Sequence, residues 1–297
     1  MGTHWSVRAV DPPGELQLRA EIEGVLARVV GEMSHWEPGS DLSRFNRAEP
    51  GRWQPLSRGF VDVLAAGLRV AKASDAAFDP AMGALSDLWG FGPGGAKPMP
   101  DAAAVAEGLG RSGHRHIEQD GARARRTTPA ALDFSGIAKG YAVDAVAERL
   151  RGLGLADFLV EVGGELRGEG VKPDGQPWWV DVEQVPGAAV APIRVALHGL
   201  SIATSGDYRR YFEANGRRFA HTLDPRTGMP LDNNVASVTV LHAVCMLADA
   251  WATGLTVLGP EAGLGVAGRE GLAMQMVVRE GERTREVLSP ALMAMLT

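Results

Sequence analysis

V-A-S-V-T-V-L-H-A-V-C-M-L-A-D-A-W-A-T-G-L-T-V-L, Val235 to Leu258, is the longest apolar run in the chain, and its reading decides the fold. It is long enough to cross a bilayer, but His242 and Asp249 interrupt it. The better reading is a buried strand, Val235 to Leu241, followed by a helix. On that helix Asp249 and Thr253 stand four apart, so a carboxylate and a hydroxyl project from one face. A carboxylate among Cys245, Met246, Leu247, Ala250 and Trp251 is costly to bury unless something pairs with it. Oxygen ligands on a fixed face suit a hard cation such as Mg2+, which usually brings a phosphate-bearing substrate with it.

Working outward, a first strand is expected through Trp5 to Val10 and a helix over Glu15 to Met33, where Leu18, Ile22, Val25, Leu26, Val29, Val30 and Met33 keep helical spacing. Ser34 to Asn46 reads as loop, Ser57 to Ser74 as an amphipathic helix capped by Ser57, and Phe78 to Pro100 as an irregular ordered segment. A short helix over Asp101 to Gly110, a hairpin within His114 to Leu132 and a helix over Ala138 to Leu153, ended by Gly154, follow. Strands are expected at Leu159 to Gly170, Trp178 to Glu183, Ile193 to Leu197 and Ala273 to Arg279, with a last helix near Glu261 to Arg269. Helices and strands mix without a strict β-α-β rhythm. That favours an α+β fold with mixed, largely antiparallel sheets and packed helices.

A chain of 297 residues can bury a full core, as one domain over 1–297 or as two closely packed lobes. A net charge of -6 argues against a nucleic-acid binder. The 38 glycines exceed average usage and point to tight turns and close backbone approaches. Cys245 is the only cysteine, so no internal disulfide forms, and its apolar surroundings suit core packing. Met1 to Val10 has no apolar signal core. Met1, Gly2 and Ser6 also fit the short myristoylation pattern, but a first strand is the preferred reading.

Five further features could carry chemistry. Asp133 to Asp144, D-F-S-G-I-A-K-G-Y-A-V-D, joins an acid at a strand end to a Ser-Gly turn and a helix carrying Lys139. Amides at a helix start with a lysine one turn in can hold an anion, though an ordinary turn with a solvated lysine reads the same. His221 precedes a D-P-R-T-G turn whose Asp224, Pro225 and Gly228 are favoured turn residues, so its case as a base depends on a nearby metal and hydroxyl. Ser205, in T-S-G-D, lacks the surroundings of a nucleophile. The loop aromatics Trp36, Phe78, Trp89 and Phe91 either pack locally or stack on a ligand. Gly163 and Gly164 either admit a ligand to the backbone or mark a bulge.

Taken together these residues resemble the FAD:protein FMN transferase family, ApbE. The match runs in order through M-G-T at Met1, S-x-L-S-R-F-N at Ser40 to Asn46, L-W-G-F-G at Leu88 to Gly92, D-F-S-G-I-A-K-G-Y-A-V-D, V-G-G-E-L, T-S-G-D-Y, H-T-L-D-P-R-T-G-M-P and A-D-A-W-A-T-G-L. The resemblance implies an α+β fold that takes FAD as substrate with Mg2+. It implies cleavage of the FAD pyrophosphate, transfer of FMN to a Ser or Thr hydroxyl of an acceptor flavoprotein, and release of AMP. It makes Asp249, Thr253 and the Gly136 carbonyl the metal ligands. Met1, Trp36, Ala77, Phe78, Asp79, Asp133, Lys139 and Leu223 would be FAD contacts, and His221 the group that assists the acceptor hydroxyl. A pyrophosphatase releasing free FMN and AMP, or a non-catalytic flavin binder, are the alternatives. Trp36 stands where tyrosine is expected and Ala252 where some relatives carry a second acid. Many relatives are exported lipoproteins. The expectation for this chain as it stands is a cytoplasmic protein, or an exported one if a leader was removed.

Overall fold

The computed structural model describes residues 3–207, 211–214, 217–281 and 283–296. The chain divides into two compact units. The first is Met1–Arg28, Ile137–Gly206 and Asn234–Thr297; the second is Val29–Gly136 and Asp207–Asn233.

The first unit is organised by a seven-stranded sheet. Its order is Trp5–Ala9, Phe158–Val162, Glu165–Glu169, Leu200–Gly206, Val235–His242, Ala273–Glu280 and Arg283–Leu288, with antiparallel neighbours throughout. Val235–His242 lies in the interior of this sheet and is buried on both faces along nearly its whole length, as its mostly apolar sequence leads one to expect. The helix Cys245–Arg269 follows and packs on it. The apolar run is therefore strand and helix, and among the described residues no helix is long and apolar enough to cross a membrane. Expectation placed a separate helix at Glu261 to Arg269. The structure bears this out: within Cys245–Arg269 two helices meet at a kink, where Gly259 (φ 75°) is non-helical and Pro260, whose ring and missing N–H interrupt the ladder, starts the second.

Leu159 to Gly170, expected as one strand, is a hairpin. Phe158–Val162 pairs with Glu165–Glu169, and Val162 stands opposite Glu165 across a two-residue turn. Both turn residues, Gly163 and Gly164, have positive φ (66° and 103°), the backbone that the tightest hairpin turns demand and that glycine supplies at least cost. The strands Leu200–Gly206 and Arg283–Leu288 and the helix Pro290–Met295 were not anticipated. A core of Leu159, Trp178, Leu197, Ile202 and Leu241 fills this unit.

The second unit holds the helix Arg58–Ala73, a three-stranded sheet of Gln54–Pro55, Arg123–Arg126 and Ile117–Asp120, and an aromatic core. Phe60 meets Phe45 at 5.7 Å and Phe134 at 5.1 Å between ring centroids. Ser57 stands before the helix Arg58–Ala73 as expected, but its hydroxyl makes no capping bond. Ser34 to Asn46, read as loop, contains the helix Asp41–Arg47. Ser40 caps it by accepting from the Ser43 N–H at 3.0 Å, while Leu42 and Phe45 face the core. Asn46 then brackets the Leu132 backbone with two bonds of 2.8 Å, one to each peptide group. Phe78 to Pro100 also contains a helix, Gly83–Leu88.

Candidate active site

In the first unit, two helices meet where Gly140, on Ala138–Gly152, touches the start of Cys245–Arg269. A Cβ at Gly140 would lie 2.4 Å from the Cys245 carbonyl oxygen, so only glycine permits this approach. The closeness lets the Gly140 N–H donate to Asp249 Oδ2 at 3.0 Å. Asp144, one turn along the same helix, completes the joint. Its carboxylate accepts from the N–H groups of Cys245 (3.1 Å) and Met246 (2.9 Å) and pairs with Arg167 at 2.7 Å. A side chain from another helix thus satisfies orphan amides at the start of the helix that carries Asp249.

Asp249 is 3% exposed. Its Oδ1 lies 3.9 Å from the Lys139 ammonium, which is bonded on its other side to Glu165 Oε1. Thr253, one turn beyond Asp249, shares a 3.2 Å hydrogen bond with the Ser205 hydroxyl. The structure thereby assembles Asp249, Thr253, Lys139 and Ser205 in one unit, and adds Glu165, which the sequence had shown only as part of a Gly-Gly turn. Burial, joined by the charge of Asp249, outweighs the lysine and pushes the Glu165 carboxyl up to about 7. Burial works against the Lys139 ammonium, but the charges of Asp249 and Glu165 overcome it and raise its pKa.

Among the described residues no three His, Cys, Asp or Glu side chains are grouped to hold a metal. The donors present are instead one carboxylate and one hydroxyl a turn apart, hard oxygens of the kind Mg2+ accepts when phosphates and water complete its shell. The residues fit a magnesium ion and would fit a soft metal poorly.

The second unit brings together H-T-L-D-P-R-T-G-M-P and L-W-G-F-G. Trp89 donates from its indole N–H to the Gly228 carbonyl at 2.8 Å. Leu223 packs with Leu85, Trp89 and Val105, and Phe91 meets the His221 ring edge-on at 6.4 Å. The intervening turn is closed by Asp224, which accepts from the Arg226 backbone and guanidinium at 2.8–2.9 Å. Of the loop aromatics, Trp89 (6% exposed) and Phe78 (4%) pack locally, whereas Trp36 (58%) presents its ring to solvent.

Asp133 is bound from several directions: Ser86 Oγ at 2.7 Å, Ser135 N–H at 2.9 Å and Oγ at 2.5 Å, and His35 Nδ1 at 3.3 Å. Burial opposes its charge, but these donors, His35 foremost, hold the carboxyl far below the usual range. His35 is raised in turn, since Asp133 outweighs the burial that disfavours its charged form. Sequence reasoning passed over His35, because a histidine beside an aromatic in a loop carries no periodic signal. Asp79 is buried, accepting from the Ala81 N–H and from both the N–H and the ring of His114, each at 2.8 Å. That carboxylate is one wall of a cavity of about 460 Å³ that Arg115 and Arg226 also line. Ala77 is fully buried, Gly136 ends the Val29–Gly136 segment of this unit, and Met1 lies outside the described residues.

Comparison with known proteins agrees with these features. The ApbE family model matches residues 1–276. A Klebsiella pneumoniae protein named FAD:protein FMN transferase is 38% identical over 98% of this chain and 85% of its own. A Haemophilus influenzae protein of the same name is also 38% identical, over 94% of this chain and 84% of its own. The crystal structure of Pseudomonas stutzeri flavinyl transferase ApbE, apo form, superposes with a TM-score of 0.92 at 40% identity, covering 98% of this chain and 93% of that one. A Thermotoga maritima ApbE protein is similar at a TM-score of 0.86 and 26% identity, covering 98% of each chain. With matching motifs, matching fold and near-complete coverage, this chain belongs to the ApbE family.

Proposed function

We propose that this protein is an FAD:protein FMN transferase that moves FMN from FAD to a Ser or Thr hydroxyl of an acceptor flavoprotein and releases AMP. The observation that carries the reading is the buried Asp249, fixed by the Gly140 N–H, with Thr253 one turn on and Lys139 beside it. This is a hard-cation and phosphate site assembled on two packed helices. Asp249 and Thr253 would hold Mg2+, and the family resemblance adds the Gly136 carbonyl. When bound, the ion would neutralise charge that develops on the pyrophosphate.

The chain's own residues account for the remaining steps. Lys139, kept charged by two carboxylates, binds phosphate oxygens and adds electrostatic stabilisation. Trp36 offers an exposed ring on which an aromatic ligand can stack. His221 takes the proton of the acceptor hydroxyl. The hydroxyl oxygen then bonds to the FMN phosphorus, while the bond from that phosphorus to the bridging oxygen breaks and the oxygen leaves with AMP. Asp133 and Asp79 spend their carboxylates on internal donors, so their contribution to FAD is to shape the loops that carry them.

The test is incubation with FAD and Mg2+, with and without an acceptor flavoprotein domain, read by in-gel flavin fluorescence and nucleotide chromatography. A fluorescent acceptor band with stoichiometric AMP is expected. Free FMN and AMP without labelled acceptor would replace the reading with a pyrophosphatase, and intact FAD throughout would reduce it to a binding protein.

A further inference from the structure

We propose that Glu165 is a positioning residue of this reaction, acting through Lys139; the inference rests on reading Lys139 as the group that holds the FAD pyrophosphate. Glu165 opens the strand Glu165–Glu169 directly after the Gly163–Gly164 turn and is 2% exposed. Its Oε1 accepts from the Lys139 ammonium. Its Oε2 is buried and, among the described residues, has no hydrogen-bond partner.

That arrangement is poor as a purely structural ion pair. Asp144, a carboxylate of the same unit, has both oxygens filled by amides and Arg167. Here one ammonium faces two buried carboxylates, Glu165 and Asp249, and one oxygen is left empty. A buried, half-satisfied carboxylate is costly, so its cost has to be offset by what it holds in place.

What it holds is the lysine. A lysine side chain has several rotatable bonds and loses much freedom when it is ordered on a ligand. Lys139 is restricted before any ligand arrives. Its stem runs against the Gly163 turn, where a Cβ would stand 3.2 Å from Lys139 Cδ, and its ammonium is drawn to Glu165 and Asp249. Of the three ammonium donors, Glu165 takes one, which aims the others. The same turn that makes the hairpin tight therefore delivers Glu165 and walls in the lysine. Prepaid ordering of this kind strengthens binding of the phosphate-bearing ligand and leaves the rest of the ligand untouched.

The test uses the full chain as Glu165→Gln, Lys139→Met and the double variant, each checked for folding by circular dichroism, with Glu165→Asp as a charge-keeping control. Affinity is measured for FAD and for riboflavin, which has no phosphate. Glu165→Gln should weaken FAD binding by ~10–100-fold, in the range for loss of a supporting partner, and leave riboflavin unchanged. Glu165→Asp should recover part of the loss. The double variant should bind FAD no more weakly than Lys139→Met alone, because the two residues act as one unit. Additive losses, equal weakening of both flavins, or unaltered FAD binding in Glu165→Gln would each overturn the proposal. If Lys139→Met itself binds FAD normally, the reading of the lysine falls and takes this inference with it. Weak binding in Lys139→Met beside normal binding in Glu165→Gln removes the Glu165 role alone.

Discussion

Buried carboxylates in this protein are handled in two ways. Asp133 is closed by His35, Ser86 and Ser135, Asp79 by Ala81 and His114, and Asp224 by Arg226 in the second unit, as Asp144 is by two amides and Arg167 in the first. In the first unit the cluster of Asp249, Glu165 and Lys139 sets two carboxylates against one ammonium and, among the described residues, leaves one carboxylate oxygen of Glu165 without a hydrogen-bond partner. Closed carboxylates build loops of fixed shape, such as those that carry Trp36 and His221. An open cluster is what a cation and a polyphosphate can complete. On the proposed function the cluster of the first unit holds the pyrophosphate, and the loops of the second carry the Trp36 ring and the base His221.

Substitutions can break this contrast at graded strength. Asp249→Ala removes the buried carboxylate that the Gly140 amide holds and that the proposed function gives to Mg2+. It should abolish Mg2+-dependent FMN transfer while circular dichroism stays native. His221→Ala should retain FAD affinity, measured by flavin fluorescence, and lose ~10²–10⁴-fold in transfer rate, the usual contribution of a positioned base. Unimpaired transfer in that variant would remove the histidine from the mechanism.

Gly140→Ala probes the helix joint. Its new methyl must displace the Cys245 carbonyl, now 2.4 Å from where that methyl would lie, so unfolding in urea should show a loss near the upper end of overpacking costs, about 3 kcal/mol. Trp89→Phe deletes the donor to the buried Gly228 carbonyl and should cost about 1–2 kcal/mol in the same measurement. Its effect on transfer should follow from a loosened His221 loop. A thermal midpoint equal to that of the native chain would contradict the role given to this bond.

The weakest expected effect is on pH dependence. Asp133 has a lowered folded pKa, so its stabilisation is complete above its ordinary value of 3.8 and is lost as pH falls towards the folded value. His35 has a raised one, so its stabilisation is complete below 6.5 and is lost as pH rises through the folded value. Their pair should help most between those two pH values. Replacing His35 by Asn should flatten the thermal midpoint profile above that window.

Much of this was legible in the sequence, for reasons that particular residues make plain. The long apolar run of Val235 to Leu258, interrupted by His242 and Asp249, pointed to a buried strand and a packed helix, and Asp249 and Thr253 stand four apart on that helix as expected. Ser40 as a helix cap was missed because a seven-residue helix is too short to show its period, although Leu42 and Phe45 stand at the spacing of one apolar face. The hairpin at Gly163–Gly164 was missed because two adjacent glycines read equally well as a bulge within one strand. Trp89 showed only as a loop aromatic; its partner, Gly228, lies 139 residues away, a distance no local pattern spans. Glu165 and His35 were overlooked for the same reason, since their roles are fixed by Lys139 and Asp133, which only folding brings near.

The most direct measurement is FMN transfer to an acceptor domain across a Mg2+ titration, in the native chain and in Asp249→Ala, after both are stripped with a chelator. Transfer by the native chain should vanish on stripping and return with added Mg2+, in step with AMP release, while Asp249→Ala stays silent at every concentration. Full transfer by the stripped native chain, or restoration of Asp249→Ala to native rates by the same Mg2+, would contradict the proposed function.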